Sequence, residues 1–186
     1  EYSGKKKETE TAAEAKVRWQ KSEAAGMIRP HMTYKLAKNC YSCHTVPKEK
    51  LVNVGGHPAG SAFELVAWSQ GEIRHNVFRT AGKSNPEADL NTKRKFFVIG
   101  RIVELEVALR ATGKATEKAK YAVSMAKRAN AARGAVGSLA KLLTGTPELA
   151  QIAKVANAAG LKLNNDKELS AAADEIAKRA KQIATK

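Results

Sequence analysis

Aromatic residues make up only 5% of this 186-residue chain, and cysteine occurs just twice. No apolar run approaches the roughly 18 residues that a membrane-spanning helix requires, so no span is expected. Two cysteines only three positions apart leave nothing for a disulfide framework. The second half has almost no β-branched run that would read as a strand, while alanine and lysine are plentiful, which predicts an all-α fold. No Ser-His-Asp set, paired carboxylates or phosphate loop stands out, since "ATGKAT" at 111–116 lacks the leading glycine of a P-loop. The length suits one packed core rather than two large domains.

What the chain does have is positive charge, a formal +15 with a sequence pI near 9.9. It is unevenly spread. Residues 1–50 carry eleven Lys or Arg against six Asp or Glu, residues 51–90 three against four, and residues 91–186 nineteen against eight. Such a field raises encounter rates with an acidic redox protein, anionic lipid or nucleic acid without choosing among them. The basic residues alternate with alanine and form no aromatic row for stacking bases, so a solvated lysine-rich face is expected and nucleic acid is not.

Both cysteines lie in "NCYSCHTVP", where Cys40-Tyr41-Ser42-Cys43-His44 has the C-x-x-C-H spacing of covalent haem c attachment. Two thiols separated by two residues near a helix end can form thioethers with the two vinyl groups of one haem, and the next residue then presents an imidazole to the iron. Cys40, Cys43 and His44 are therefore the expected cofactor-binding residues, with His44 as proximal metal ligand. Structural zinc usually needs a second ligand pair, which is absent. A thioredoxin-like pair needs a preceding strand, but "HMTYKLAKNCYSCH" reads as helix. A disulfide across so short a gap is strained and leaves the histidine unexplained.

The opposite face of the iron decides between electron carriage and ligand binding. His57 is the first choice for the distal position, because Gly55 and Gly56 permit close backbone approach and Pro58 can open a following helix. His75 is the second choice and His31 the third. A single helix over 58–76 would hold His57 and His75 roughly 27 Å apart, so one iron takes only one of them. Met27, Met32 and Met125 are weaker candidates, Met125 falling at helical spacing with Tyr121 and Ala129 as core residues do. An open distal position remains the alternative. Tyr41, Val46, Leu51, Phe63, Trp68 and Phe97 are expected around the porphyrin.

The stretch "NCYSCHTVPKEKLVNVGGHPAGSAFELVAWSQGEIRHNVF", with "GRIVELEVALRA" downstream, resembles segments of bacterial multihaem c-type cytochromes over about residues 28–130. C-x-x-C-H is common to all c-type cytochromes, whereas the order GGH, FEL, RHN is more particular. The resemblance implies that histidines after the motif serve as distal ligands, sometimes to a neighbouring haem, which by position touches His57 and His75. This chain departs from the pattern in having one C-x-x-C-H, so one of those imidazoles either lacks its haem or meets one in another subunit.

The expected division is a charged helical segment at 1–27, a haem c domain at 28–143 and a basic helical extension at 144–186. Loops are expected at 80–91, and helices over about 92–111, 116–143 and onward from Thr146-Pro147, with a last helix capped by Asn165 or Asp166. The chain begins at Glu1 without an initiator methionine, so removal of an export signal or excision from a longer precursor is expected. The combined expectation is a bacterial periplasmic or extracellular cytochrome that carries single electrons through one covalent haem, with two histidine ligands and no bond-making chemistry. Its partner would be a redox protein of acidic surface, and a homo-oligomer or larger redox complex is compatible with it. A five-coordinate haem binding a small gas or peroxide, and a docking subunit, are the alternatives.

Overall fold

The computed structural model of the chain describes residues 9–71, 84 and 86–186. These form eight α-helices and no strand: α1 (Ala12–Ala24), α2 (Thr33–His44), α3 (Glu49–Asn53), α4 (Leu65–Gln70), α5 (Leu90–Gly113), α6 (Lys120–Leu142), α7 (Pro147–Ala158) and α8 (Asp166–Ala184). The fold is all-α, as the composition predicts.

Local chemistry explains the helix starts. Thr11 and Glu14 form a reciprocal capping box at α1. The Asp89 carboxylate accepts the Thr92 amide at 2.9 Å and opens α5. Pro147 stands in the first turn of α7, where its missing N–H costs nothing.

Helix α5 is the centre. From Ile102 to Leu109 every residue is buried, so it has no solvent stripe over that stretch, and α2, α4, α6 and α8 cover it. Leu169, Ala173, Ile176, Ala180 and Ile183 recur at three- and four-residue steps along α8 and lie in the same apolar cluster as Phe96, Ile99, Ile102, Leu105 and Leu109. Each fully buried Leu or Ile among them contributes about 1.5–3 kcal/mol. Over this stretch the surface of α5 is thus occupied by protein side chains.

Helices α7 and α8, read from sequence as an extension, supply Leu149, Ile152, Ala156 and Leu169 to this one cluster. Helix α1 contributes to neither this cluster nor the smaller one formed by Val52, Ala111, Ala115, Tyr121, Ala122 and Met125. Met125 is therefore a core residue.

A buried carboxylate ties three helices together. Glu106, 1% exposed, accepts the Tyr34 hydroxyl at 2.9 Å, the Lys38 ammonium, and Arg110 Nε at 3.1 Å. Arg110 reaches on to Asp174 at 2.6 Å, which joins α2, α5 and α8. A carboxylate removed from water is tolerable only when paired and hydrogen-bonded in this way.

Two boundaries differ from the sequence expectation. Helix α6 begins at Lys120 rather than Thr116, because the Glu49 carboxylate takes the Thr116 and Glu117 amides at 3.0 and 3.4 Å and Asn53 Oδ1 accepts the Tyr121 amide at 2.9 Å. Nor does Pro58 open a helix. Gly60 adopts φ +113°, and the next helix waits until Leu65, where the Glu64 carboxylate caps the Val66 and Ala67 amides at 3.1 and 2.8 Å.

Candidate functional site

Helix α2 carries Cys40, Cys43 and His44 in its last turn and a half. At 100° per residue the three side chains fall within an arc of about 100°, and the two cysteines are separated by roughly 4.5 Å along the axis. Both thiols are free. Cys40 is half-buried against the main cluster, and burial pushes its thiol pKa up, whereas Cys43 is exposed. The thiols therefore straddle the boundary between core and solvent, an inner one and an outer one.

His44 sits in an aromatic group. Its ring stacks on Phe63 with centroids 4.1 Å apart and meets Trp68 edge-on at 5.2 Å. Phe63 in turn touches Tyr41 at 4.9 Å. Tyr41 and Phe63 are buried, but Trp68 keeps 45% of its surface in solvent, so the cluster runs from core to surface through the imidazole plane.

After α2 the chain turns at Val46, which adopts φ +48° and follows the Thr45 cap of the helix. That left-handed position usually belongs to Gly or Asn, and a β-branched residue there stores strain of order 1–3 kcal/mol. Residues 45–60 then form a looped connection that contains α3 and is closed at its base by the Ser61 amide, which donates to the His44 carbonyl at 3.0 Å. The Ser61 hydroxyl also lies 2.9 Å from His44 Nδ1. Arg128 from α6 donates to the Ser61 carbonyl at 2.7 Å and to Glu104 at 3.1 Å.

His57 lies on this loop, exposed, with Nδ1 2.8 Å from the Pro58 carbonyl. A carbonyl only accepts, so Nδ1 carries the proton and the Nε2 lone pair faces outward from that bond. His31 is exposed in the turn before α2, and Met32 forms the N-terminal cap position of that helix. Met27 is 49% exposed. His75 lies outside the described residues.

Of the side chains expected around a porphyrin, Phe63 and Trp68 touch the His44 ring and Tyr41 lies one ring further in. Leu51 is exposed on α3, and Val46 packs against the smaller cluster. Phe97 stands on α5 beneath the Arg101 guanidinium, 5.1 Å from it.

Comparison of the chain with protein-family models, with curated proteins and with solved structures yields no match. The site must therefore be read from its own chemistry.

Among the described residues no group of three or more His, Cys, Asp or Glu side chains gathers to hold a metal ion. A porphyrin iron makes no such demand, because the macrocycle supplies four nitrogens and the protein adds one or two axial ligands. The residues fit haem c in the chemistry of their donor set: two free thiols one turn apart, an adjoining imidazole held through Nδ1, and uncovered apolar surface at Trp68 beside it. Tyr41 Oη and Thr45 Oγ1, flanking this turn, are buried without a hydrogen-bond partner among the described residues. Burial, followed by the charge of Glu104, pushes the Tyr41 phenol pKa up and keeps it protonated. A groove of about 400 Å³ between the α1–α2 connection and α2 is lined by Asn39 and Ser42, but by neither thiol nor His44.

Sequence reading overlooked Gly60, Ser61, Glu104 and Arg128. Ser61 and Arg128 are 67 residues apart, and nothing local announces their meeting.

Proposed function

We propose that the chain is a c-type cytochrome that holds one haem through Cys40, Cys43 and His44 and carries single electrons. The observation that carries this reading is the last turn of α2, where two free thiols and the next imidazole share one face. When bound, the haem iron supplies one-electron exchange between its ferric and ferrous forms. The residues do the rest. The thiols tether, His44 presents its ring nitrogen, and Phe63 and Trp68 fix the plane of that ring by stacking and edge contact.

His57 is the proposed distal ligand. Its Nδ1–H is engaged by Pro58 O, which selects the tautomer a metal ligand needs. A second histidine rather than methionine holds the reduction potential toward the low end of the haem range. Covalent haem attachment places the proposed site of action in the periplasm or outside the cell. The +15 charge suits an acidic redox partner. No helix among the described residues is long and apolar enough to cross a membrane.

An optical spectrum of the purified full chain tests this. A low-spin ferric form that ignores carbon monoxide on reduction is the expected result, and His57→Ala should turn it high-spin. A wild-type protein that is high-spin and binds carbon monoxide supports instead a five-coordinate haem for small gases or peroxide. If His57→Ala stays low-spin, His57 is not the ligand, and His75 and His31 are the next to replace.

A further inference from the structure

We propose that Ser61 is a positioning residue for His44: its hydroxyl accepts the imidazole Nδ1–H, and an Arg128–Glu104 brace holds Ser61 there, so that this polar chain sets how strongly His44 donates to a haem iron. The inference rests on the reading above, since a metal on Nε2 is what makes Nδ1 the protonated nitrogen and Ser61 the acceptor.

The loop is already closed without the hydroxyl. The Ser61 amide donates to the His44 carbonyl at 3.0 Å, and Arg128 donates to the Ser61 carbonyl at 2.7 Å. The 2.9 Å contact between Ser61 Oγ and His44 Nδ1 is an additional bond, made by an exposed side chain that the fold does not require.

The brace behind it is built with little slack. Glu104 is 9% exposed and receives Arg128 Nε on one oxygen and Arg101 on the other, each at 3.1 Å. Gly60 completes the arrangement. A Cβ at this position would come within 2.6 Å of the His44 carbonyl and 2.7 Å of Arg128, and its φ of +113° is one that other residues rarely adopt. The approach of residues 60–61 to the end of α2 is thus specified by the backbone and by Arg128, which leaves the hydroxyl aimed at the imidazole.

An acceptor on Nδ1–H gives the imidazole part of the character of an imidazolate, which raises ligand basicity and favours the ferric state. Ser61→Ala removes that acceptor alone. Measured by redox titration of the haem-loaded full chain, Ser61→Ala should raise the ratio of reduced to oxidised protein at a fixed poise by about threefold to tenfold, tenfold being about 59 mV for a one-electron couple. Ser61→Thr, which keeps the hydroxyl, should restore the wild-type value. The thermal midpoint of Ser61→Ala should stay close to that of the parent, which separates tuning from loss of structure.

A haem-loaded Ser61→Ala protein with the wild-type potential overturns the inference, as does an equal shift in Ser61→Ala and Ser61→Thr. Either result leaves the haem assignment standing. A chain that carries no haem overturns the assignment first, and is recognised before any titration begins.

Discussion

Along α5 and α8, Ile99, Ile102, Leu105, Leu109, Leu169 and Ile176 are fully buried, whereas between α3 and α4 the side chains of Leu51, Val54 and Trp68 leave 45%, 85% and 45% of their surface in solvent. Both regions spend similar residues. In the first, these side chains pack against one another in a single apolar cluster, and the buried carboxylate of Glu106 is partnered by Tyr34, Lys38 and Arg110. In the second, apolar groups remain uncovered, the thiols form no disulfide, Tyr41 Oη and Thr45 Oγ1 lack hydrogen-bond partners among the described residues, and Val46 sits in a strained left-handed turn. A core that closes by itself needs nothing else. Uncovered apolar surface at Trp68, beside His44, is what a flat apolar cofactor would cover.

This contrast can be broken by substitution. Ile99→Ala should cost the most, about 3 kcal/mol, because a site with no exposure and neighbours on every side cannot collapse around the cavity. Urea unfolding checks it, and a loss under 1 kcal/mol would mean that α5 is less tightly covered than it looks. Glu106→Ala should follow at about 2 kcal/mol, since it strips partners from Tyr34, Lys38 and Arg110 at once. The discount relative to a fully buried pair reflects the partial exposure of the two cations, 35% and 29%.

Glu168 offers a smaller, pH-dependent effect. Its carboxylate accepts the Gly160 amide and then an Asn165 N–H, and both hold its pKa below the ordinary 4.5. A depressed carboxylate stabilises the fold above the unfolded-state pKa and loses that contribution as pH falls through the folded value. Glu168→Gln should therefore be less stable than the parent at neutral pH and converge with it as the solution is acidified below that range. Thermal midpoints measured at a series of pH values follow this directly. A difference that stays constant with pH removes the electrostatic explanation.

Val54→Ala should change least, within about 0.5 kcal/mol in the polypeptide without haem, because the side chain is 85% exposed. The same truncation made on haem-loaded protein sharpens the comparison. A larger cost there assigns Val54 to the covered surface.

Much of the fold could be read from the residues because its signals are local. The Thr146-Pro147 start of α7, the periodic apolar run of α5 and the helix leading into CYSCH depend on neighbours within a turn or two. The start of α6 could not be read, since Thr116 and Glu117 look helical until Glu49, 67 residues earlier, takes their amides. Pro58 signalled a helix start that Gly60 and the cap at Glu64 displace to Leu65. In the proposed site, the shared face of Cys40, Cys43 and His44 was legible because their spacing on a helix sets it. Ser61 and Arg128 were not, because a serine in a loop and an arginine on a basic helix acquire meaning only when tertiary packing brings them together.

The attachment of haem to α2 is the claim on which the rest stands, and an intact mass of the full chain, produced in a bacterium that matures c-type cytochromes, tests it most directly. The account predicts the polypeptide plus one haem, lost when Cys40 and Cys43 are both changed to Ala. A mass equal to the bare polypeptide under those conditions would contradict it.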